Sequence, residues 1–423
     1  MKKIVLAAMV IMLGIFAAGC GEETSEAYAP VQLSPIPIAA ATPTPTPTPA
    51  PASAPTPAPE SILTTTRGIT PTLISEQLVI TERVVKDGMV QSYLTGEWVD
   101  ESIGTRRPIA VPVSNQTSCL PHYGITNAGV IYLVPLRDQM TRLFAIFEDF
   151  DDLDRIGPVR SIRLYMSYIG LEHDAIVTNW GLALLPDNIA FINSDKVDNI
   201  SQAVAYIETP TSVAFERYTR SGYAEEDRGY LVIDGLMKGV DQRGYNWDYD
   251  DTFEPKFLFA ADGRRATYDD AENATKIWPG EKGNYYTIRA YFEYNEETGK
   301  YDYYQKNRSG NVTRLVDEHN GETLQVDNVV LQICYMEEAD AHGYLAVEDH
   351  GSPALAAAGQ YKGNHKIYFF TNGKVVEGYW ERVDGDEKPA KYYDMDGNEL
   401  VFNRGKTFIC EVWDKYADSI RYE

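Results

Sequence analysis

Three arginines and one serine are grouped near residue 160 in a pattern that favours anion binding. Arg160, Ser161 and Arg163 stand between a loop and an apolar helical pattern, and Arg142 belongs to a strand-like run before them. A helix N-terminus offers N–H donors and a positive dipole end, and a guanidinium is a planar fork that fits carboxylate or phosphate. Arg142, Arg160, Ser161 and Arg163 are therefore the candidate anion-binding residues.

The same arginines have a second interpretation, in which Arg160 and Arg163 neutralise an acidic loop and thereby fix a turn. The loop contributes five carboxylates: Glu148, Asp149, Asp151, Asp152 and Asp154. Arg and Asp side chains that share a loop usually pair, so this structural interpretation is favoured over the anion site.

Two acidic segments carry the hard oxygen ligands that Ca²⁺ prefers. Neither Asp149–Asp154 nor Asp394–Glu399 places Gly and Glu at the spacing of an EF-hand loop. A solvated loop is favoured for the first segment and a plain hairpin for the second. The sequence predicts no metal site and no cofactor.

Tyrosines are dense in the second half, where they suggest either glycan stacking or ordinary strands. Seven fall within twenty residues: Tyr285, Tyr286, Tyr291, Tyr294, Tyr301, Tyr303 and Tyr304. Exposed tyrosine faces can stack on sugar rings, but tyrosine is also a good strand former. The alternation of Tyr301, Asp302 and Tyr303 fits a half-exposed strand, so the strand interpretation is favoured.

The motifs of common enzyme classes are missing from the chain. It lacks HExxH, GxSxG, SxxK and CxxC, and its six histidines include no i, i+4 pair. His173 and Asp174 follow Ser161, but the predicted helix separates them from it, which disfavours a triad. The sequence leans against an enzyme; the enzyme alternative is a hydrolase with a pocket around Arg160.

Short β-branched runs supply the elements that must position these residues. Ile109–Val113 and Val130–Val134 read as strands, and Thr141–Phe147, a helix and Ala175–Thr178 follow in β-α-β order. The helix is predicted from four apolar residues at helical spacing, with Ser161 as its N-cap. These four residues are Ile162, Tyr165, Met166 and Ile169.

The second half carries hairpin signals. Asn372-Gly373 and Asp396-Gly397 are type I′ dipeptides flanked by strand-forming residues. The predicted fold class is therefore α+β, with an α/β N-terminal domain built on a β-α-β core and a mostly β C-terminal domain.

Length and charge divide the chain and exclude one class of partner. The 423 residues include 38 Lys and Arg against 62 Asp and Glu, a net charge of -24 that repels phosphate backbones. Nucleic acid is not a predicted partner. We predict a lead-in at residues 61–105, an N-terminal domain at 106–262 and a C-terminal domain at 263–423.

The N-terminus reads as a lipoprotein signal at residues 1–20. Two lysines precede an apolar run, Ile4–Phe16, which is followed by Ala17-Ala18-Gly19-Cys20. A membrane span is disfavoured, because the run is shorter than the roughly 20 residues that a spanning helix needs. Lipidated Cys20 is the predicted contact with the membrane, and the body is predicted to be extracytoplasmic, on the outer face of the cytoplasmic membrane.

Residues 21–60 read as a Pro/Thr-rich tether. Its 18-residue stretch from Thr42 to Pro59 alternates proline with small residues. Polyproline geometry would extend this stretch by roughly 50 Å. The folded part is thus expected to work away from the lipid surface.

Three thiols remain after Cys20. Cys334 and Cys410 lie in apolar strand-like runs and are expected to be buried, whereas Cys119, beside Pro121 and His122, is expected to be the more exposed. No disulfide framework is predicted.

The order and spacing of two segments resemble the YerB-like lipoprotein family of Gram-positive bacteria. The run Thr141–Phe147 is followed by Arg155–Arg163, which contains the G-P-V-R-S-x-R string. The resemblance covers roughly Arg106 to Val412. The P-H-N element usual in the family is missing after Arg217. Because the family is a domain of unknown function, the resemblance implies an architecture and a location but no reaction.

The sequence thus predicts a binding module of the cell envelope, with a cell-wall or anionic envelope component as its ligand. The alternatives are the hydrolase-like enzyme and a structural or protein-interaction scaffold. An Arg160 that is sealed by the acidic loop would favour binding or scaffolding over catalysis.

Overall fold

The computed structural model describes residues 83–137, 140–347, 365–382 and 388–423. The predicted signal with Cys20, the tether and the lead-in up to residue 82 lie outside these ranges. The described residues belong to one compact unit and are mostly β, with few helices. No helix within them has the length and apolar composition needed to cross a membrane.

The first half of the described chain contains four helices and ten strands. The helices are α1 (Glu101–Gly104), α2 (Leu164–Glu172), α3 (Pro186–Ile192) and α4 (Ile233–Arg243). The strands are β1 (Met89–Gln91), β2 (Trp98–Asp100), β3 (Ile109–Ser114), β4 (Val130–Arg137), β5 (Met140–Phe147), β6 (Arg155–Ile156), β7 (Ile176–Asn179), β8 (Asn199–Ser201), β9 (Phe215–Arg217) and β10 (Gly229–Val232). The strands predicted at Ile109–Val113, Val130–Val134 and Thr141–Phe147 are confirmed as β3, β4 and β5.

The regular elements in the second half of the described chain are nearly all strands, as predicted, with one short α-helix, α5 (Asn284–Ile288), and a 3-10 helix at Asp414–Ser419. Its first strands are β11 (Leu258–Phe259), β12 (Glu272–Asn273), β13 (Lys276–Trp278), β14 (Tyr291–Asn295), β15 (Lys300–Lys306), β16 (Val312–Arg314), β17 (Gln325–Val326) and β18 (Asn328–Cys334). Its last strands are β19 (Met336–Glu338), β20 (Leu345–Val347), β21 (Lys366–Thr371), β22 (Lys374–Glu381), β23 (Lys391–Asp394), β24 (Val401–Phe402), β25 (Thr407–Trp413) and β26 (Arg421–Tyr422).

One large sheet joins the two halves. Within the described ranges it has eleven strands in the order β12, β22, β21, β18, β25, β4, β5, β3, β7 and β8, with β23 also paired to β22. Strand β25 lies between β18 and β4 and runs parallel to both. The domain boundary at residue 262 stays a prediction. The large sheet contains strands from both sides of this boundary.

The predicted β-α-β order is present, but its two strands are not neighbours. Strand β3 lies between β5 and β7, antiparallel to β5 and parallel to β7. The parallel pair that α2 accompanies is therefore β3 and β7. The sequence did not predict this pairing, because periodicity identifies elements but not which strands pair.

Ser161 does not cap the helix. Helix α2 begins at Leu164, with Arg163 as the N-cap and no side-chain cap hydrogen bond. The segment before it is held extended by neighbouring strands, since the Arg160 N–H donates to the Pro112 carbonyl and the Ile162 N–H to the Gly181 carbonyl. The apolar residues predicted to face the core, Ile162, Tyr165, Met166 and Ile169, are all buried.

One of the two predicted hairpins forms. Strands β21 and β22 are joined by Asn372-Gly373, whose φ angles of 53° and 68° are those of a type I′ turn. At Asp396-Gly397 the chain turns, but β24 leaves to pair with β11 and only one bridge, Tyr393 to Glu399, closes the turn. The Asp394 carboxylate accepts the N–H groups of Asp396 and Asn398 and so builds the turn from its side chain.

A second sheet, in the order β16, β15, β14, β13 and β26, packs against the large one. The rings of Phe292 and Tyr303 lie 5.0 Å and 4.8 Å from that of Phe408 on β25. Tyr301 and Tyr303 are both completely buried rather than half-exposed. Strand β15 thus packs Tyr301 and Tyr303 into the core.

The three described cysteines are free and buried. This confirms the prediction for Cys334 and Cys410. It corrects the one for Cys119, whose thiol is turned inward and donates to the Ser114 carbonyl at 3.1 Å. The loop position suggested exposure, but the sequence gives no sign of this inward contact.

Candidate functional site

Two neighbouring segments bring the candidate arginines together. Arg142 lies on β5 opposite Ser114 of β3, and the extended segment that carries Arg160 runs along the other side of β3. The Ser114 N–H donates to the Pro158 carbonyl at 2.9 Å, which fixes the register of this segment. Residues 18 positions apart in sequence are therefore close in space.

Arg142 is a buried guanidinium with few partners. Arg142 is only 5% exposed. Its Nη1 donates to the Ser161 carbonyl. Its Nε has no partner among the described residues. Burial lowers the pKa of Arg142, and the positive charges of Arg163 and Arg160 lower it further. A guanidinium does not lose its proton in a protein, so a buried positive charge remains there.

Arg163 is the second buried member of the group. Its Nη1 donates to the Ile162 carbonyl at 3.1 Å, and its guanidinium lies 4.5 Å from the ring centroid of Tyr344. Burial lowers the pKa of Arg163, against a smaller opposing effect of Tyr165 and Tyr344. Its Nε also has no hydrogen-bond partner in the part of the chain described.

Arg160 is not sealed by the acidic loop. It is half-buried, and its Nη1 donates to the Glu226 carbonyl at 3.0 Å. The loop carboxylates pair elsewhere, Asp151 with Arg106 at 2.7 Å and Asp154 with Arg155 at 2.6 Å. The favoured interpretation, in which Arg160 and Arg163 neutralise this loop, is therefore wrong. Proximity in sequence was misleading because β6 turns Arg155, not Arg160, toward the loop.

Within the described ranges, no carboxylate forms an ion pair with Arg142, Arg160 or Arg163. Asp340 acts on Arg163 only at longer range, as the weakest of the influences that raise its pKa. We call these three residues the arginine cluster.

Ser161 contributes its backbone to the arginine cluster. Its carbonyl accepts from Arg142 and, at 3.4 Å, from Arg163. Its hydroxyl lies 3.5 Å from the Trp180 carbonyl and faces Gly181, which has a φ of 95°. A Cβ at Gly181 would lie 2.6 Å from the Ser161 Oγ, so glycine is required there on both counts.

A groove opens where the arginine cluster meets the start of α2. It has a volume of about 270 Å³. It is lined by Arg163, Leu164, Tyr165, Leu185, Pro186, Asp187, Asn188, Glu337, Glu338, Ala339, Leu345, Ala346 and Val347. Arg163 and the first residues of α2 line this groove, so a guanidinium lies beside a helix N-terminus there. Arg142, Arg160 and Ser161 do not line it, and the anion pocket around Arg160 stays a prediction.

The remaining groups that sequence reasoning considered for catalysis do not assemble. His173 contacts the Tyr132 hydroxyl at 2.9 Å, and Asp174 pairs with Arg107 at 3.1 Å. Burial lowers the pKa of His173 to about 3. His173 and Asp174 thus have separate structural partners, and no triad with Ser161 forms.

A cysteine and a histidine that the sequence did not pair lie around one carbonyl. His122 Nε2 and Cys119 Sγ lie 2.6 Å and 3.1 Å from the Ser114 oxygen. Burial raises the pKa of Cys119 to about 12 and lowers that of His122 to about 4. Both groups are therefore neutral near pH 7, so the thiol is not an activated nucleophile.

The acidic segments form no metal cage. Among the described residues, no group of three or more His, Cys, Asp or Glu side chains is arranged to hold a metal ion.

Five of the tyrosines considered for glycan stacking are engaged within the protein. Tyr285, Tyr301 and Tyr303 are buried. Tyr291 and Tyr304 stack on each other with centroids 4.5 Å apart and planes within 7°. Their faces therefore cover one another, which supports the strand interpretation.

A second buried charge group was not foreseen. Glu172 accepts from Lys256 Nζ at 2.5 Å and from Arg382, and all three side chains are almost fully buried. Lys256 also donates to the Ala390 carbonyl at 3.0 Å. We call Glu172, Lys256 and Arg382 the ion-pair cluster; it joins α2 to the second half.

Comparison with known proteins gives the same two-part organisation. Residues 94–246 match a family model described as the N-terminal domain of a protein of unknown function (DUF3048), and residues 282–409 match the C-terminal domain of the same description.

A curated relative, the "Putative lipoprotein YerB" of Bacillus subtilis (strain 168), is 26% identical over 328 residues, which cover 77% of this chain and 87% of the relative. The crystal structure of the YerB protein from Bacillus subtilis matches with a TM-score of 0.60 at 22% identity, over 79% of this chain and 99% of that one. The structural match supports the fold. Family membership rests on the two domain models together with the sequence match. This chain belongs to the YerB-like family, whose two-part domain has no known function.

Proposed function

We propose that this chain is a lipid-anchored, extracytoplasmic binding protein that recognises an anionic component of the cell envelope through the arginine cluster. In this proposal Cys20 carries the lipid, residues 21–60 hold the body away from the membrane, and residues 106–262 act as an α/β half that presents the arginines. The relative's name as a lipoprotein and the sequence of the first twenty residues support the anchoring.

One observation carries the binding role. Arg142 is buried beside two other arginines, and no described carboxylate pairs with any of the three. A buried charge without a counter-charge costs several kcal/mol, and an anion that enters the site removes that cost. The protein therefore gains most from a ligand that brings one or two negative oxygens to this point.

The chemistry of the cluster favours carboxylate or phosphate. Guanidinium groups match the spacing of two oxygens on one acidic group, and hydrogen bonds to charged acceptors are about twice as strong as neutral ones. Arg160 is half-buried and is therefore the member of the arginine cluster in contact with solvent. Arg142 and Arg163 are buried and contribute positive charge inside the protein. Among the described residues no base contacts the Ser161 hydroxyl, so binding is supported better than hydrolysis.

The test measures binding of acidic probes to the purified full chain in detergent. Inorganic phosphate, glycerol 3-phosphate and muramyl dipeptide are titrated by calorimetry into the wild type, Arg142→Met and Arg160→Gln. We expect at least one probe to bind the wild type and to lose tenfold or more in affinity in both variants. At 100 times its dissociation constant, that probe should raise the free energy of unfolding by about 2.7 kcal/mol.

Lys282→Gln is the control, because Lys282 is exposed and its removal changes the net charge by the same amount. It should bind as the wild type does. If all three variants lost the same affinity, the effect would come from the net charge of the protein and not from the arginine cluster. Failure of every probe to bind the wild type would contradict the proposal.

A further inference from the structure

A second cleft, far along the sequence from the arginine cluster, is also lined by arginines. Its volume is about 560 Å³, and its lining residues are Glu97, Trp98, Val99, Arg264, Arg265, Asn403 and Arg404. Three segments build it: the hairpin of β1 and β2, the turn after β11, and the chain that follows β24. Because β11 and β24 pair in parallel, the segments that leave their C-terminal ends emerge side by side.

Trp98 presents an indole that no other ring covers. It is half-buried, and within the described ranges it makes no ring stacking and no cation–π contact. The pKa of Asp262 is lowered chiefly by its hydrogen bond from Arg404 and to a smaller extent by Trp98. The uncovered Trp98 indole differs from the rings of Tyr291 and Tyr304, which stack on each other.

The three arginines around Trp98 are held to different degrees. Arg404 pairs with Asp262 at 2.6 Å, and Arg265 donates to the Asn372 side chain and to the Gly299 carbonyl. Arg264 is exposed and makes no side-chain hydrogen bond or ion pair with the described residues. Two guanidiniums are thus pre-positioned and one is available, in a protein whose net charge is -24.

We propose that this cleft binds an acidic polysaccharide, with a pyranose ring stacked on Trp98 and its carboxylate or phosphate groups bound by Arg264, Arg265 and Arg404. The flat apolar face of a pyranose fits an indole, and its charged substituents fit guanidinium forks. Glu97, which is exposed, lines the same cleft and supplies acceptors for ring hydroxyls. The site is separate from the arginine cluster and stands without it.

A polysaccharide fits these groups better than other partners do. An apolar protein surface would bury the charges of Glu97 and three arginines without hydrogen-bonding them, which is costly. A single-stranded nucleic acid could stack on Trp98, but the net charge of -24 repels a phosphate backbone along its length. A short acidic glycan contacts only the cleft.

The experiment follows tryptophan fluorescence of the full chain in detergent during titration. Hexagalacturonate tests carboxylate-bearing pyranoses and glucose 6-phosphate tests phosphate-bearing ones, while maltohexaose and glucose are the neutral counterparts. We expect saturable binding of an acidic sugar at least tenfold tighter than its neutral counterpart. The stronger of the two acidic probes identifies which substituent the cleft prefers.

Four variants locate the binding. Trp98→Leu should abolish the fluorescence change and weaken binding tenfold or more by calorimetry, and Trp98→Phe should retain part of the affinity because a smaller ring still stacks. Arg264→Gln should weaken acidic sugars but not neutral ones. Lys282→Gln, which removes the same charge from an exposed residue outside both sites, should bind these sugars as the wild type does.

Absence of binding by the wild type to both acidic sugars would overturn the proposal. Equal affinity for acidic and neutral sugars, or an unchanged affinity in Trp98→Leu, would do so as well. Tighter binding of a thymidine hexanucleotide than of hexagalacturonate would replace the polysaccharide by a nucleic acid. A loss confined to Arg160→Gln, measured alongside the four variants, would assign the signal to the arginine cluster instead.

Discussion

The arginine cluster and the ion-pair cluster both bury positive charge, but they do so in opposite ways. In the ion-pair cluster, Lys256 and Arg382 converge on the Glu172 carboxylate, so the chain itself supplies the counter-charge. In the arginine cluster, Arg142 is buried beside Arg160 and Arg163, and the described acceptors are carbonyl oxygens and the Tyr344 side chain, none of which is charged. The first arrangement satisfies its charges within the fold, whereas the second leaves positive charge that an external anion can neutralise.

The difference separates a structural role from a binding role. A buried ion pair that links distant segments is strongly destabilising to break. A buried group of like charges weakens the fold in the absence of its ligand, and such sites persist where binding requires them. Stability measurements on matched variants can therefore test the distinction directly.

The largest effect is expected from Glu172→Gln. The substitution keeps the shape of the side chain but removes the negative charge that two buried cations contact. We expect the free energy of unfolding to fall by about 3 to 5 kcal/mol, measured by urea denaturation. Glu254→Gln is the control, since its exposed pair with Lys388 should contribute less than about 1 kcal/mol. If both variants lost a similarly small free energy of unfolding, the ion-pair cluster would not have the structural role that distinguishes it from the arginine cluster.

A second, intermediate effect concerns Glu148, a buried carboxylate that accepts from the Ser92 hydroxyl. Burial raises the pKa of Glu148 from 4.5 to about 7. Between these values the native state holds a proton that the unfolded state has lost, so this group makes stability fall as pH rises. Glu148→Gln lacks the ionisation and should gain about 2 to 3 kcal/mol over the wild type between pH 4.5 and 7.

Urea denaturation of both proteins across that range measures the difference. Burial lowers the pKa of His122 to about 4, and that of His173 lies lower still; these groups act in the opposite direction, with stability rising as pH rises toward 6.5. They are present in both proteins, so the difference isolates Glu148. Parallel pH profiles would show that Glu148 ionises normally in the native state.

The smallest effect, and the sharpest test of the comparison, is expected from Arg142→Met. Methionine fills the same buried space without a charge, so the free energy of unfolding should stay unchanged or rise by about 1 kcal/mol. Arg382→Met, in the ion-pair cluster, should lower it by several kcal/mol because Glu172 loses a partner. A loss above about 2 kcal/mol in Arg142→Met would show that its counter-charge lies within the chain.

Local patterns in the sequence were sufficient for elements but not for their partners. The apolar runs that became β3, β4 and β5 and the type I′ turn at Asn372-Gly373 were predictable because their signals are contained in a few residues. The insertion of β3 between β5 and β7 was not, since pairing depends on contacts between distant segments. The departure of β24 from its expected hairpin has the same origin, because its partner, β11, is more than a hundred residues away.

The candidate site shows the same limit. The residue types near position 160 indicated an anion site, and the structure brings these residues together. Their relation to the acidic loop was wrong, because Arg106 and Arg155, not Arg160, reach its carboxylates. The position of Trp98 in a cleft was not predictable, since nothing near it in sequence indicates that Arg264 and Arg404 lie across the same cleft.

The position of β25 governs when this fold can be completed. This strand occupies the middle of the large sheet, yet it comes after all the other described strands of that sheet in chain order. Until Thr407–Trp413 has been synthesised, β4 and β18 each present an open edge with unpaired backbone groups. Contacts of such long sequence separation slow folding and make it concerted. The two halves of this protein therefore complete the large sheet together, once β25 has been synthesised.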